Sequence, residues 1–213
     1  MRLTLHSIRR SWQTAVVVLL HGLLLSSGSA LAQAVPLAER LQLCSGCHSP
    51  DGNSVIPENP SLSGLDPEYI VRQLQDFKSG SRKSVVMSGI IPMVDEKEFH
   101  ALAEFFSKQK PNPVGKSDSK LAAQGKEIYD EGIVGSAVPA CSGCHNEDGS
   151  GTEKYPRIAG QHAAYVIQQL LSFKAGERAN DVKAVMRVVA KRMNEKEIRA
   201  VAEYIVALRG EQE

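Results

Sequence analysis

The amino-acid sequence predicts an all-α fold built from two tandem copies of one helical unit. Three observations carry this. NPSLSGLDPEYIVRQLQDFKSGSR at 59–82 matches YPRIAGQHAAYVIQQLLSFKAGER at 155–178 at a constant offset of 96 residues, and CSGCH at 44–48 returns at 141–145. In the first copy Ile70, Leu74 and Phe77 recur at helical spacing, and no sustained apolar–polar alternation marks a strand. The composition, 42% apolar and 23% charged, fits a folded globular chain and neither a collagen-like nor a disordered one.

Taken in order, residues 1–32 read as a secretory leader. Arg2, Arg9 and Arg10 precede the apolar run AVVVLLHGLLL, and Ala30 and Ala32 form an A-x-A site, which predicts cleavage after Ala32. The run is 11 residues long and is broken by His21, short of the roughly 18 needed to span a bilayer. Without the leader, 22 basic face 24 acidic residues, so a nucleic-acid partner has no electrostatic support.

The first unit is expected at 33–113. Asp66 before Pro67 reads as an N-cap with proline at the first helical position. Asp95 with Glu98 reads as a capping box opening the unit's last helix. KQKPNPVGKSDSK at 108–120 has linker chemistry, which places the boundary near residue 114. The second unit, 114–213, repeats the plan, with Asn194 and Glu197 as its capping box and VDEKEFHALAEFF recurring as MNEKEIRAVAEYI at an offset of 99. Units this small seldom build a sufficient apolar core alone, so a buried cofactor is expected as a staple.

All four cysteines lie in the two CSGCH motifs. CxxCH reads as a c-type haem attachment site. Thiols three apart lie on one face of a helical turn and can add to the two vinyl groups of a haem, while the following histidine turns its ring to the iron. Zinc is the weaker reading, because four-coordinate sites rarely take three ligands from five consecutive residues. A thioredoxin-type pair belongs beside a βαβ pattern, and structural disulfides leave the repeated histidine unexplained. The expected cofactors are therefore two covalently bound haem c groups, on Cys44 and Cys47 with His48, and on Cys141 and Cys144 with His145.

The sixth iron ligand is expected to be methionine, which raises the potential and closes the iron to substrates. After the leader the candidates are Met87, Met93, Met186 and Met193. At the offset of 99, Met87 falls on Met186, whereas Met93 falls on Arg192 and Met193 on Val94. Val94 and Met193 each precede a helix cap and are expected to pack as hydrophobic staples on Phe99 and Ile198. Met87 and Met186 are left as the ligands. His100 and His162 have no histidine partner in the other copy, so a surface or packing role is expected. Arg187, Lys191 and Arg192 stand where the first unit has Ser88, Pro92 and Met93, which predicts a basic rim on the second unit and a more apolar one on the first.

These motifs together closely resemble the cytochrome c4 family over nearly the whole chain after the leader. The resemblance implies two class I cytochrome c domains related by a pseudo-twofold axis, in a periplasmic dihaem electron carrier that is not an enzyme. It also implies that the carbonyls of Pro60 and Pro156 accept a hydrogen bond from the proximal histidines. Implied partners are redox proteins such as a terminal oxidase or a quinol-oxidising complex, with peripheral membrane association open. A dihaem enzyme and a permanent cytochrome subunit are the alternatives. One departure from the family pattern stands out: Gly125 fits a close crossing of first and last helices in the second unit, but the first unit has only Ala38 as a small residue there.

Overall fold

Short polar side chains decide where several of the helices begin. In the computed structural model, which describes residues 36–210, the Asp66 carboxylate accepts the backbone N–H of Tyr69 at 2.8 Å and Pro67 opens the helix behind it. The predicted leader, 1–32, lies outside the described residues. The first half contains α1 (Leu37–His48), α2 (Pro67–Ser79), α3 (Val85–Ile90) and α4 (Phe99–Ser107). The second contains α5 (Ser119–Glu131), α6 (Ser142–His145), α7 (Ala163–Ala175), α8 (Val185–Arg192) and α9 (Glu195–Ala207). Gly80 and Gly176 end α2 and α7 in the left-handed conformation, at φ 78° and 75°, which glycine adopts without a Cβ clash.

Both predicted capping boxes form, Asp95 with Glu98 before α4 and Asn194 with Glu197 at α9. The residues just before them, Val94 and Met193, are buried in the same cores as Phe99 and Ile198, as a hydrophobic staple requires. The one extended pairing among the described residues is an isolated antiparallel bridge between Ile133 and Val138, in the loop between α5 and α6. The chain is all-α.

Each half has its own apolar core. In the first, α2 packs on α4 through residues such as Ile70, Leu102 and Phe106; in the second, α5 and α7 pack on α9 through Tyr129, Leu170 and Ile205. Gly125 lies where α5 crosses α9, and a Cβ there would stand 2.0 Å from the carbonyl oxygen of Ala200. The first half has no such crossing. No residue of α1 is buried, and α1 is tied to the start of α4 by an ion pair, Arg40 Nε to Glu98 Oε2 at 3.0 Å.

The described residues fall within one compact unit, and the halves are joined by reciprocal hydrogen bonds. Arg82 donates to Tyr165 and Gln169 of the second half, while Arg178 donates to Tyr69 and Gln73 of the first. Equivalent residues exchanging the same contacts is the mark of a twofold relation. The predicted linker is anchored as well, since the Asn53 side chain donates to Lys110 O at 3.0 Å and accepts from Asn112 N at 2.8 Å.

Candidate functional site

The first CSGCH is the C-terminal end of α1, and the second runs from the N-cap of α6 to its end. Each histidine is followed by a residue at φ 66°, Ser49 and Asn146, which stops the helix and turns the chain back towards the proline loop. His48 Nδ1 lies 2.9 Å from Pro60 O, and His145 Nδ1 lies 2.9 Å from Pro156 O. A carbonyl can only accept, so Nδ1 carries the proton and Nε2 keeps its lone pair for a metal. Burial pushes both imidazoles below the ordinary histidine pKa, with the proline carbonyls opposing in part. The rings are held neutral, as ligation requires.

Burial also raises the Cys44 thiol and pushes Cys141 up to about 11. None of the four cysteines is in a disulfide. Thiols kept protonated in apolar surroundings do not suit a thioredoxin-like exchange pair, whose nucleophile is a thiolate.

The motifs open onto one cavity of about 900 Å³. From the first half it is lined by Cys44, Cys47, His48, Pro60 and Met87; from the second, by Cys141, His145, Pro156 and Met186. Cys144 stands in α6, its N–H bonded to Cys141 O at 3.1 Å. Leu74, Phe77, Leu170 and Phe173 supply apolar walls. Apolar walls, paired cysteines and one neutral imidazole plus one thioether per half are a donor set that fits haem.

The methionines differ in exposure and place. Met93 is 46% exposed, and Met193 is 2% exposed, a core residue whose edge also reaches the cavity wall. Met87 lies in α3, where the Ser84 hydroxyl accepts its backbone N–H at 3.2 Å. Met186 lies in α8, held differently: Asp181 accepts from the backbone N–H of Arg187 at 3.0 Å and from its Nε at 2.7 Å. Lys183 and Ala184, just before it, both adopt left-handed φ, at 53° and 59°, a conformation that costs a non-glycine residue about 1–2 kcal/mol.

His100 is exposed, 4.0 Å from Glu68. His162 is buried between the halves, its Nε2 donating to Ser54 O at 2.7 Å. Neither lines the cavity. Sequence alone gives no role to Ser84 or Asp181, and it marks the seam residues Tyr69, Gln73 and Arg82 with their counterparts only by their recurrence. The last three had a signal: polar side chains on an amphipathic helix that recur at the offset of 96 need a shared reason.

Comparison with known proteins gives the same picture. The cytochrome c family profile matches residues 122–209. Cytochrome c4 of Azotobacter vinelandii is 38% identical over 178 residues, covering 78% of this chain and 84% of that protein. The thiosulfate dehydrogenase electron acceptor of Thiomonas intermedia is 34% identical over 168 residues, 77% of each chain. The crystal structure of reduced recombinant cytochrome c4 from Pseudomonas stutzeri superposes with a TM-score of 0.77 at 36% identity, covering 81% of this chain and 96% of that one. The protein carries two covalently bound haem c groups, one for each CSGCH motif. With two class I cytochrome domains, two attachment motifs and this likeness over most of its length, the chain belongs to the cytochrome c4 family of dihaem electron-transfer cytochromes.

Proposed function

We propose that Cys44 and Cys47 would hold one haem and Cys141 and Cys144 the other through thioethers, with His48 and Met87 as the side chains offered to one iron and His145 and Met186 to the other. The domains are 33–113 and 114–213. The observation that carries this is the duplicated 2.9 Å bond from a buried histidine Nδ1 to a proline carbonyl, which presents two equivalent imidazole faces to one cavity. When bound, haem supplies a one-electron ferrous–ferric couple. The chain's own residues do the rest. Pro60 and Pro156 fix the rings, Ser84 and Asp181 anchor the methionine segments, and the apolar walls keep water from the metal. Firm ligation on both faces leaves little to rearrange between redox states, which suits a carrier and not an enzyme.

In this reading the chain is exported to the periplasm, cut after Ala32, and shuttles electrons between redox proteins such as a quinol-oxidising complex and a terminal oxidase. The relative named as an electron acceptor of thiosulfate dehydrogenase supports an oxidoreductase as donor. Among the described residues no helix is long and apolar enough to cross a membrane, so any membrane contact is proposed as peripheral. Intact mass of the exported protein tests the reading: it should fit a chain starting at Gln33 with two haems. The oxidised protein should also show a methionine-to-iron charge-transfer band. A mass fitting one haem or none, or the lack of that band, would refute it.

A further inference from the structure

The seam between the halves is built differently on its two edges. On one edge the Gln161 amide spans the backbone of Ser61: its Oε1 accepts the Ser61 N–H at 2.9 Å and its Nε2 donates to Ser61 O at 3.0 Å. Beside it, His162 Nε2 donates to Ser54 O at 2.7 Å. Each of these four residues is at most 8% exposed, so water competes little for the bonds. The linker crosses at the same edge. Asn53, next to Ser54, accepts from Asn112 N, and a Cβ on Gly160, next to Gln161, would stand 4.0 Å from Asn112 O.

The offset of 96 that relates the halves puts Leu65 in the place of Gln161, Asp66 in that of His162, Arg157 in that of Ser61 and Ser150 in that of Ser54. A twofold relation would repeat the clamp there, but the residue types forbid it. Leu65 has no amide and lies in the apolar core of the first half. Asp66 caps α2 by accepting the Tyr69 N–H, and where His162 presents a donor to a carbonyl, a carboxylate presents only acceptors. In place of a second clamp stands a cleft of about 360 Å³, with Leu65 and Asp66 on the wall of the first half and Ser150 and Arg157 on that of the second. The Arg157 guanidinium is turned to its own half, where it donates to Arg209 O and Gly210 O. The bonds of Arg82 and Arg178 run both ways across the seam and do not distinguish one edge from the other.

We infer that the two halves are hinged. The edge where Gln161 and His162 grip Ser61 and Ser54, and where the linker crosses, is the pivot; the cleft is the free edge, along which the halves part and approach. Domains of one chain move relative to each other unless their interface is large and apolar, and pinning one edge turns that motion into a swing. Gln161 and His162 are the positioning residues of the pivot. Both CSGCH motifs open on a cavity lined from both halves, so the swing changes the gap between them. That an electron crosses this gap rests on the haem placement proposed above; the hinge does not.

The test reads the spread of distances across each edge of the holo-protein, whose own cysteines are taken up by haem and leave engineered ones for labelling. Glu68→Cys with Glu153→Cys reports on the free edge, and Ala164→Cys with Val55→Cys on the pivot; Glu68, Glu153 and Val55 are exposed and Ala164 is half-buried. Gadolinium labels and pulsed dipolar spectroscopy of the reduced protein give a distance distribution for each pair. The free-edge distribution should be the broader. Gln161→Leu with His162→Asp gives the pivot the two residues of the free edge, Asp being able to cap α7 as Asp66 caps α2, and should widen the pivot distribution until the two match. Equal widths at both edges in the parent protein would overturn the hinge, and that comparison decides by itself should the double variant fail to fold. A pivot distribution left unchanged by the double variant would overturn it as well. The methionine-to-iron band is read on the same parent protein in its oxidised form: its absence refutes the ligand placement and leaves the hinge to be judged on the widths.

Discussion

His48 and His145 show how little sequence is needed to fix an imidazole: a helix end, one left-handed residue and a carbonyl about a dozen residues on. The backbone carbonyl sets the tautomer, so the ring has one nitrogen left to offer. The methionines are less constrained by local sequence, and their roles can be tested singly. Met87→His and Met186→His should each lower the potential of one haem and remove half of the methionine-to-iron band, read by absorbance of the oxidised protein. Met93, 46% exposed and outside the cavity lining, should tolerate the same change with the band intact. Should Met93→His behave like a ligand substitution, the assignment drawn from the repeat alignment is wrong.

At the scale of elements the two halves solve the same packing problem differently. The second half brings α5 against α9 through Gly125, where any side chain meets the Ala200 carbonyl. Gly125→Ala should destabilise the second half by about 1–3 kcal/mol or more, since backbone cannot step aside as a flexible side chain can. The first half replaces that contact with Glu98, which closes the capping box on Asp95 and also pairs with Arg40 at 3.0 Å. Glu98→Ala removes both, and about 1–2 kcal/mol is the expected loss. Denaturant titration of the holo-protein, followed at the haem band, checks both. A neutral result for Gly125→Ala would mean that the helices part more easily than the 2.0 Å approach implies.

For the whole molecule, the repeat leaves a difference in charge between the two halves. Both methionine segments expose valines, Val85 and Val86 beside Met87 and Val182, Val185 and Val188 around Met186, but the second also carries Lys191 and Arg192, both exposed, at the end of α8, with Arg192 Nη1 donating to Ala137 O at 2.6 Å. Arg187, grouped with them from sequence, is tied to the buried Asp181 carboxylate and belongs to the anchoring of α8. The docking test therefore uses Lys191→Glu with Arg192→Glu and leaves Arg187 alone. Electron-transfer rates should fall with an acidic partner only, and the loss should fade as salt screens charges over about 10 Å at 0.1 M. Equal loss with every partner, or none, would remove the idea of two ends with separate partners. Cleavage at the exposed Pro113 should leave two haem-bearing fragments that still travel together in gel filtration, because Gln161 bonds to both the N–H and the carbonyl of Ser61 beside the arginine network.

The repeat, the all-α class, the helix caps and both haem motifs were legible in the sequence. All of these rest on spacing within a few residues or on copying at a constant offset, and both survive in a linear text. Gly125 was legible only through the resemblance to the cytochrome c4 family, since the first unit has no glycine to match it. The seam was not. Tyr69, Gln73 and Arg82 recur as Tyr165, Gln169 and Arg178, but recurrence does not tell whether each set bonds within its own copy or across to the other. His162 gave no hint that it would donate to Ser54, 108 residues away. Nor could sequence show that Asp181 neutralises Arg187, because a pair six residues apart meets only when the chain takes the left-handed path through Lys183 and Ala184. Local chemistry was written in the order of the residues; which charges would share a buried space was decided only when the two halves closed on each other.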